Sequence, residues 1–508
     1  MKKSNLVISL LVVLFSILIC YNAQGLNTIF KGEKIEINTA AVLTSAYNGL
    51  RDFNGQGGTY ALNEISTDAM VAPARGGDWD DNGAWRQIHT MKWTSNHGEV
   101  KNAWNSLVSN IYTCNLIINN GGTPSEVIQA RFLRAWYLYN VVDLFGQAPY
   151  FDKESKKSNV IRSFVFSEIK IISRPEATDY IIAELESIVN TLSSRTVGNA
   201  SVANKDAAHF LLAKIYLNKA VFKSPNPAGP YAFNTSDMTK VIQHVDAITN
   251  TLAVSYWDNF APSNNTSNEI IFSSKNNKGG EGGGMQSKWR MGAHFNQTPS
   301  GWNGFTTLSD FYNTFNTSDV RAKYSTPSII ATFGNPVGFQ VGQQYGPGGI
   351  TPLYDRDGRP LVFTPQITLI TSGSTIETAG IRGMKYIPDV DNLEQPDNDL
   401  VLMRYSDALL MKVEAILRGG SGTGTTSILN SLASRANVTA APATLEGVYA
   451  ERGRELWWEG WRRNDMIRFG KFLNSRQLKP FVSDAKYLLY PIPTEALYNV
   501  NIKQNPGY

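Results

Sequence analysis

The sequence predicts a mainly α-helical protein, a tetratricopeptide-like helical superhelix with an inserted irregular, loop-rich subdomain. Two observations support this prediction. Several segments repeat apolar residues every three or four positions, which is the period of one helix face. Between them, residues 253–400 are rich in Gly, Asn, Ser, Thr and Pro and lack that period. Because a structureless loop of this length is improbable in a compact protein, we interpret the region as an inserted subdomain.

The first 25 residues are typical of an export signal peptide. Two lysines precede an apolar run, residues 6–19, which is too short to span a bilayer comfortably. Two processing sites compete. Cys20 follows the run directly, at the place of the acylated cysteine in a lipoprotein, although the residues before it are bulky. Ala23 and Gly25 instead form a site for ordinary signal peptidase, which would start the mature chain at residue 26.

Residues 26–252 form a predicted N-terminal helical region. Between Ile128 and Val142 apolar residues recur at helical spacing, and Gly146 follows as a stop signal. Small residues such as Ala135 and Ala213 stand at helix-contact positions and favour tetratricopeptide-like pairing. Weaker periodic runs predict further helices over residues 39–53, 100–119, 177–192 and 239–252.

Residues 401–508 form a predicted C-terminal helical region, including a helix over residues 425–436. Glu451, Glu455 and Glu459 are four positions apart, which places them on one face of a helix. Arginines lie between them, so ion pairing is the natural explanation. Carboxylates stacked on one helix also cannot flank a glycosidic bond from two sides, as a glycoside hydrolase requires.

Charge and motif content argue against several classes of function. The net charge of +4 is small for 508 residues and no basic block occurs, so nucleic acid is not an expected partner. The five histidines are far apart and show no metal-ligand spacing. No nucleophile, phosphate-binding or dinucleotide motif is present. We therefore expect neither enzymatic activity nor a cofactor.

The candidate binding residues lie in two aperiodic regions, a ligand loop over residues 68–97 and the segment 253–305. Six of the 11 tryptophans lie in such aperiodic sequence, beside Gly, Asn, Asp and Arg. An indole covers the apolar C–H face of a sugar ring while polar side chains satisfy its hydroxyl rim. Alternatively, the indoles form the loop subdomain's own small core. The predicted glycan-binding residues are Asp68, Arg75, Asp78, Trp79, Asp80, Asn82, Trp85, Trp289, Trp302 and Asn303.

The same loop invites a calcium interpretation. Asp78, Asp80 and Asn82 match the opening of a calcium-binding loop, but the twelfth position is His89 and not a bidentate glutamate. A solvated turn is the competing interpretation, and we predict no metal ligand.

Five blocks of sequence resemble the SusD/RagB family in the same order. They are A-R-F-L-R-A-W-Y with L-F-G-x-x-P (130–149), A-A-H-F-L-L-A-K-I-Y-L (207–217), L-M-R-Y-S-D-A-L-L-M (402–411), E-R-x-x-E-L-x-x-E-G-x-R (451–462), and P-I-P with Q-N-P-G-Y (491–508).

The resemblance implies a non-catalytic, surface-exposed glycan-binding protein of the outer membrane. It further implies a lipid anchor, for which Cys20 is the candidate. The implied partner is a SusC-like TonB-dependent transporter, to which bound oligosaccharide is delivered. A RagB-like protein that binds peptide or glycoprotein is the alternative. The shared blocks lie on scaffold helices, so no ligand residue transfers by motif.

Overall fold

The computed structural model describes residues 37–75, 78–150, 170–280, 283–367, 370 and 377–508. The predicted signal peptide and Cys20 lie outside these residues, so the processing alternatives stay predictions. Within these ranges, no helix combines the length and the apolar character needed to cross a bilayer.

α-Helices supply most of the regular structure in the described part of the chain. In chain order they are α1 (Thr39–Asn48), α2 (Gly58–Glu64), α3 (Ala84–His89), α4 (Gly98–Asn119), α5 (Pro124–Phe145), α6 (Arg174–Ile188), α7 (Lys205–Phe222), α8 (Thr235–Asp246), α9 (Ser287–Arg290), α10 (Ser309–Tyr312), α11 (Pro327–Phe333), α12 (Tyr405–Leu417), α13 (Thr425–Ala436), α14 (Leu445–Glu455) and α15 (Arg462–Arg468). The five weaker helix predictions are confirmed, with the helix predicted over 239–252 starting a turn earlier as α8.

Helix α5 shows how local sequence sets the element boundaries. Thr123 caps its first turn through a reciprocal hydrogen-bond pair with Glu126, and Pro124 occupies the first helical position. Gly146 ends the helix with a φ of 70° and donates its N–H to the carbonyl oxygen of Val142. The predicted stop at Gly146 is therefore confirmed.

The helices pack in a continuous series that forms the superhelical scaffold. Neighbours contact one another from α4 to α8, and α12 then packs against α8 across the intervening residues 247–404. Helices α13 and α14 both pack against α12. Apolar side chains from the facing sides form one large core, and this arrangement confirms the predicted fold class.

The described residues also form nine short strands, of which the last seven lie between α8 and α12. The strands, in chain order, are β1 (Gln147–Tyr150), β2 (Lys170–Ser173), β3 (Ile270–Ser274), β4 (Lys323–Tyr324), β5 (Val337–Gln340), β6 (Gly342–Gln343), β7 (Val362–Phe363), β8 (Arg382–Met384) and β9 (Leu400–Arg404). All pairings are antiparallel: β1 with β2, β3 with β9, β4 with β5, β5 with β8, and β6 with β7.

A buried ionic cluster joins the irregular segment to the C-terminal helices. Arg404, at the end of β9, contacts Glu269 at 2.9 Å, Glu455 at 2.6 Å and Glu459 at 2.7 Å. Glu455 also pairs with Arg321, at 2.9 Å. These side chains are 3% exposed or less, so the attraction of each charge to its ion-pair partners must compensate for its lost hydration.

The prediction that Glu459 shares a helix face with Glu451 and Glu455 is wrong. Helix α14 ends at Glu455, and Trp458 follows in the left-handed region with a φ of 58°. Glu459 and Trp457 therefore lie in the turn after α14. Because the turn redirects the chain, Glu459 reaches Arg404 and Lys385 and not the arginines next to it in sequence.

Candidate functional site

Trp79 and Trp302 meet on the surface of the loop region. Both indoles are partly buried against the core and partly exposed. The indole N–H of Trp79 donates to the main-chain carbonyl oxygen of Trp302 at 2.7 Å. The Trp79 ring also rests edge-on against Phe305 at a centroid distance of 5.0 Å. These contacts fix the plane of the Trp79 indole and bring the ligand loop next to the irregular subdomain.

The loop that carries Trp79 is held in an unusual backbone conformation. Trp79, Asp81 and Asn82 all have positive φ values, of 59°, 39° and 52°. Such values are uncommon for residues other than glycine and cost of order 1–3 kcal/mol each. Asn303, next to Trp302, has a φ of 51°. Strained residues of this kind cluster at ligand sites, which makes this surface the leading candidate.

Arg356 connects this surface to a third segment. Its Nη1 lies 3.0 Å from Oδ2 of Asp78, and its guanidinium carbon lies 4.7 Å from the centroid of the Phe295 ring. The Arg356 and Asp78 side chains are 48% and 45% exposed. We call the surface formed by Asp78, Trp79, Phe295, Trp302 and Arg356 the loop face.

Two further side chains border the loop face. Asn296 follows Phe295 and donates from Nδ2 to the main-chain oxygen of Tyr354 at 2.8 Å. Tyr354 is 49% exposed, which makes its ring the most accessible aromatic near the face. The region thus combines flat apolar surfaces with amide, carboxylate and guanidinium groups.

Glu377 organises the polar groups beneath the loop face. It accepts from the main-chain N–H of Arg356 at 3.1 Å, and contacts the His294 ring at 2.8 Å and Arg356 Nε at 3.2 Å. Burial alone would raise the pKa of Glu377, but these three groups hold it below its usual value. Burial lowers the pKa of the His294 ring.

Arg75 and Asn303 support the loop face from below. Arg75 is 1% exposed and donates to the carbonyl oxygens of Gly304 and Ala379, the latter at 2.7 Å. Asn303 is fully buried and accepts from Arg382 at 2.9 Å. Their polar groups face the protein interior, so neither side chain is displayed on the loop face, and their contact with ligand stays a prediction.

Trp289 and Trp85 are also framework residues. Trp289 is 0% exposed and lies within the main core, so the prediction that it displays an open indole is wrong. Trp85 is 7% exposed; it packs against Trp79 at 5.8 Å and donates its N–H to Asp81 at 2.5 Å. Trp85 therefore buttresses Trp79 and does not itself present a stacking surface.

The remaining predicted residues divide between framework and surface. Asp68 forms a two-pronged ion pair with Arg462 at 2.7 Å, which ties it to α15 and not to the loop face. Asp80 and Asn82 are exposed, and Asp80 pairs with Arg86 at 2.7 Å. Asp68 and Asp80 therefore bind different arginines and do not converge on one site. Among the described residues, no group of three or more His, Cys, Asp or Glu side chains is placed to hold a metal ion.

Phe295, Tyr354 and Arg356 were not predicted from the sequence. Phe295 lies within an aromatic-rich segment, but without an indole it did not stand out. The run Tyr354 to Arg359 alternates acidic and basic residues around Gly358, much like the polar surroundings of Trp79. That likeness in composition was the available signal.

Two family models and a curated relative resemble this sequence. A sequence model of the SusD family matches residues 362–508, and a second, described as starch-binding and associating with the outer membrane, matches residues 27–217. The starch-binding protein SusD of Bacteroides thetaiotaomicron is 26% identical over 498 aligned residues, covering 89% of this chain and 85% of that protein. Over these regions the chain is similar to the SusD/RagB family.

Solved structures share the fold. A laminarin-binding SusD-like protein superposes with a TM-score of 0.70 at 19% identity, covering 94% of this chain and 100% of that one. Surface glycan-binding protein A from Bacteroides fluxus gives 0.68 at 19% identity, with 92% and 99% covered. The corresponding Bacteroides thetaiotaomicron protein, solved with laminarihexaose, gives 0.64 at 19% identity, with 92% and 98% covered.

Proposed function

We propose that this protein is a non-catalytic, cell-surface glycan-binding protein that captures oligosaccharide on the loop face. The observation that carries the proposal is a pair of partly exposed indoles, Trp79 and Trp302, with the Trp79 indole N–H bonded to the main-chain oxygen of Trp302. An indole held in a fixed plane loses little freedom when a sugar ring stacks on it. Asp78, Asn296 and Arg356 supply acceptors and donors for the hydroxyl rim.

The carboxylates of the site favour binding over catalysis. A glycoside hydrolase needs a carboxylic acid whose pKa is raised so that it can protonate the leaving oxygen. Glu377, the hub beneath the face, has a lowered pKa instead. Among the described carboxyl groups, a raised pKa occurs at Glu64, at about 8, and at Asp399, at about 6. Both are buried in the framework, 0% and 2% exposed, away from the loop face.

Delivery to a transporter completes the proposal. The matched family description places its members at the outer membrane. We propose that acylation of Cys20 anchors the protein there and that a SusC-like TonB-dependent transporter receives the glycan. Transfer requires release, so modest affinity of the isolated protein is consistent with this role. The names of the starch- and laminarin-binding relatives support carbohydrate as the ligand class.

The decisive experiment is a glycan array followed by calorimetry with maltohexaose, laminarihexaose and the strongest array ligand. We expect saturable binding to at least one glycan and no shortening of that glycan on prolonged incubation, measured by chromatography. Binding to a peptide panel with indifference to every glycan would overturn the proposal in favour of the RagB-like alternative. Time-dependent hydrolysis by the purified protein would overturn the non-catalytic part.

A further inference from the structure

The ionic contacts of the loop face point to the charge class of its ligand. Arg356 is the basic side chain of the face, and both edges of its guanidinium are already occupied. Nη1 faces Asp78 at 3.0 Å and Nε faces Glu377 at 3.2 Å. A guanidinium binds a ligand carboxylate best through two parallel hydrogen bonds. At Arg356 the carboxylates of Asp78 and Glu377 occupy the positions that a ligand carboxylate would take.

The neighbouring arginines follow the same pattern. Arg86 pairs with Asp80 at 2.7 Å, and Arg290, whose main-chain oxygen accepts from Trp302, pairs with Glu394. Arg359 pairs with Asp355 at 2.8 Å and with Asp357 at 2.6 Å. Each of these guanidiniums faces an internal carboxylate and not open solvent alone.

Carboxylates also outnumber the arginines. Segments 78–86, 290–305 and 354–359, together with the partners Glu377 and Glu394, contain four arginines and seven carboxylates. The buried guanidiniums of Arg75 and Arg382 beneath the face reduce the excess to one negative charge. Several of these carboxylates are well exposed, Asp357 at 63% and Glu394 at 66%. A ligand that carries its own negative charge would meet like charge across this surface, an interaction that salt screens only in part at short range.

We propose that the loop face selects uncharged glycans and rejects those bearing uronate or sulfate groups, with Asp78 acting as the specificity-determining residue. This inference rests on the proposed function. Asp78 satisfies Arg356 internally, so the arginine remains available to hydroxyl groups through its outer N–H groups but offers no free anion site. Neutral hydroxyls accept such hydrogen bonds without displacing a carboxylate, whereas a uronate competes directly with Asp78.

The test compares each neutral probe with its own charged derivative. Maltohexaose and laminarihexaose are measured by calorimetry beside the same hexaoses with C6 hydroxyls oxidised to carboxylates, at 50 mM and 300 mM NaCl. For the hexaose that wild-type protein binds, we expect the oxidised form to bind at least tenfold more weakly at low salt, with a smaller gap at high salt.

Asp78→Asn supplies the gain-of-function arm because it removes the internal partner of an exposed guanidinium. We expect the ratio of neutral to oxidised affinity to fall about tenfold, and the double variant Asp78→Asn/Arg356→Gln to lose that gain. Glu446→Gln makes the same charge change at a carboxylate that is 71% exposed and pairs with Lys471, and it should leave the ratio as in wild type.

The outcomes separate this inference from the function beneath it. Equal binding of neutral and oxidised hexaoses to wild-type protein overturns the selectivity while leaving glycan capture intact. If Asp78→Asn and Glu446→Gln show the same ratio of neutral to oxidised affinity, Asp78 is not the cause of the selectivity. The remaining outcome is that a protein with normal cooperative unfolding binds neither form of the hexaoses and no glycan of the array. That result overturns the proposed function and the selectivity with it.

Discussion

The indole N–H of Trp79 donates a hydrogen bond to the main-chain carbonyl oxygen of Trp302, at 2.7 Å. These residues are more than two hundred positions apart, one in the ligand loop and one in the irregular subdomain. The bond satisfies the polar atom of an otherwise apolar side chain, which remains partly exposed. The two segments that carry the candidate site are thereby held in register.

Trp79→Ala and Trp302→Ala should each weaken glycan binding. Stacking of a planar ligand on an aromatic side chain contributes about 1–3 kcal/mol by analogy with base stacking, which corresponds to roughly five- to 150-fold in affinity. Calorimetry with the glycan that wild-type protein binds best measures the loss. Tyr498→Ala removes an 81% exposed aromatic ring outside the loop face and should bind as wild type does. Unchanged affinity in both tryptophan variants would exclude the loop face as the binding site.

Gly304→Ala should disturb the site without removing any of its side chains. The Trp79 ring lies directly on Gly304, and an added Cβ would stand 2.3 Å from the ring, closer than any real contact. The indole must therefore shift, so we expect an affinity loss similar to that of Trp79→Ala, measured by the same titration. Gly280→Ala places its methyl group in open space and serves as the matched control. Wild-type affinity in Gly304→Ala would mean that the position of Trp79 is irrelevant to binding.

The scaffold was predictable from the sequence because its signals are local. Periodic apolar residues, a capping Thr123, and Gly146 at a helix stop each act within a few positions along the chain. The turn at Trp458 escaped prediction because its left-handed conformation is set by packing against distant segments. Its indole N–H donates to the carbonyl oxygen of Ala69 at 3.0 Å. Helix α14 consequently ends before Glu459.

The site was predictable by region and only partly by residue. Trp79 and Trp85 lie six positions apart in similar polar sequence, yet one is partly exposed and the other is 7% exposed beneath it. Trp289 has the same local character and is fully buried. Exposure depends on which distant segment covers a side chain, and local composition does not predict that packing. Arg356 was missed for the same reason, since its role arises from contacts with Asp78 and Phe295.

Glu455→Gln should destabilise the protein strongly. Its carboxylate is 0% exposed and contacts Arg404, Arg321 and Arg435. Removal of one partner from a buried ionic cluster leaves the others uncompensated, which typically costs about 3–5 kcal/mol. Urea unfolding followed by tryptophan fluorescence gives the free energy of unfolding. Glu446→Gln, at the exposed pair with Lys471, should change it by less than about 1 kcal/mol. Equal unfolding midpoints for the two variants would contradict the assigned role of the cluster.

His89 should make the protein less stable in mild acid. The ring is 0% exposed between the carbonyl oxygens of Ile65 and Gln477. Burial, reinforced by the nearby Arg476 guanidinium, lowers its pKa from 6.5 to about 4. Between these two values the unfolded chain takes up the proton and the folded protein does not. Stability present above pH 6.5 is therefore lost as the pH falls toward 4, by about 3 kcal/mol from this group.

The variant His89→Gln isolates this contribution because glutamine fills similar space and does not titrate. Histidine at this position makes the unfolding free energy fall with acidity. The unfolding free energy of wild type minus that of the variant should therefore fall steadily from pH 7 to pH 4. Urea titrations at half-unit intervals measure it. Lys92→Gln alters an exposed residue nearby and should follow the wild-type curve throughout. The histidine contribution depends only on the gap between its folded and unfolded pKa. Parallel curves of unfolding free energy for wild type and His89→Gln would therefore contradict the prediction, because they would mean that the ring takes up its proton as readily in the folded protein as in the unfolded chain.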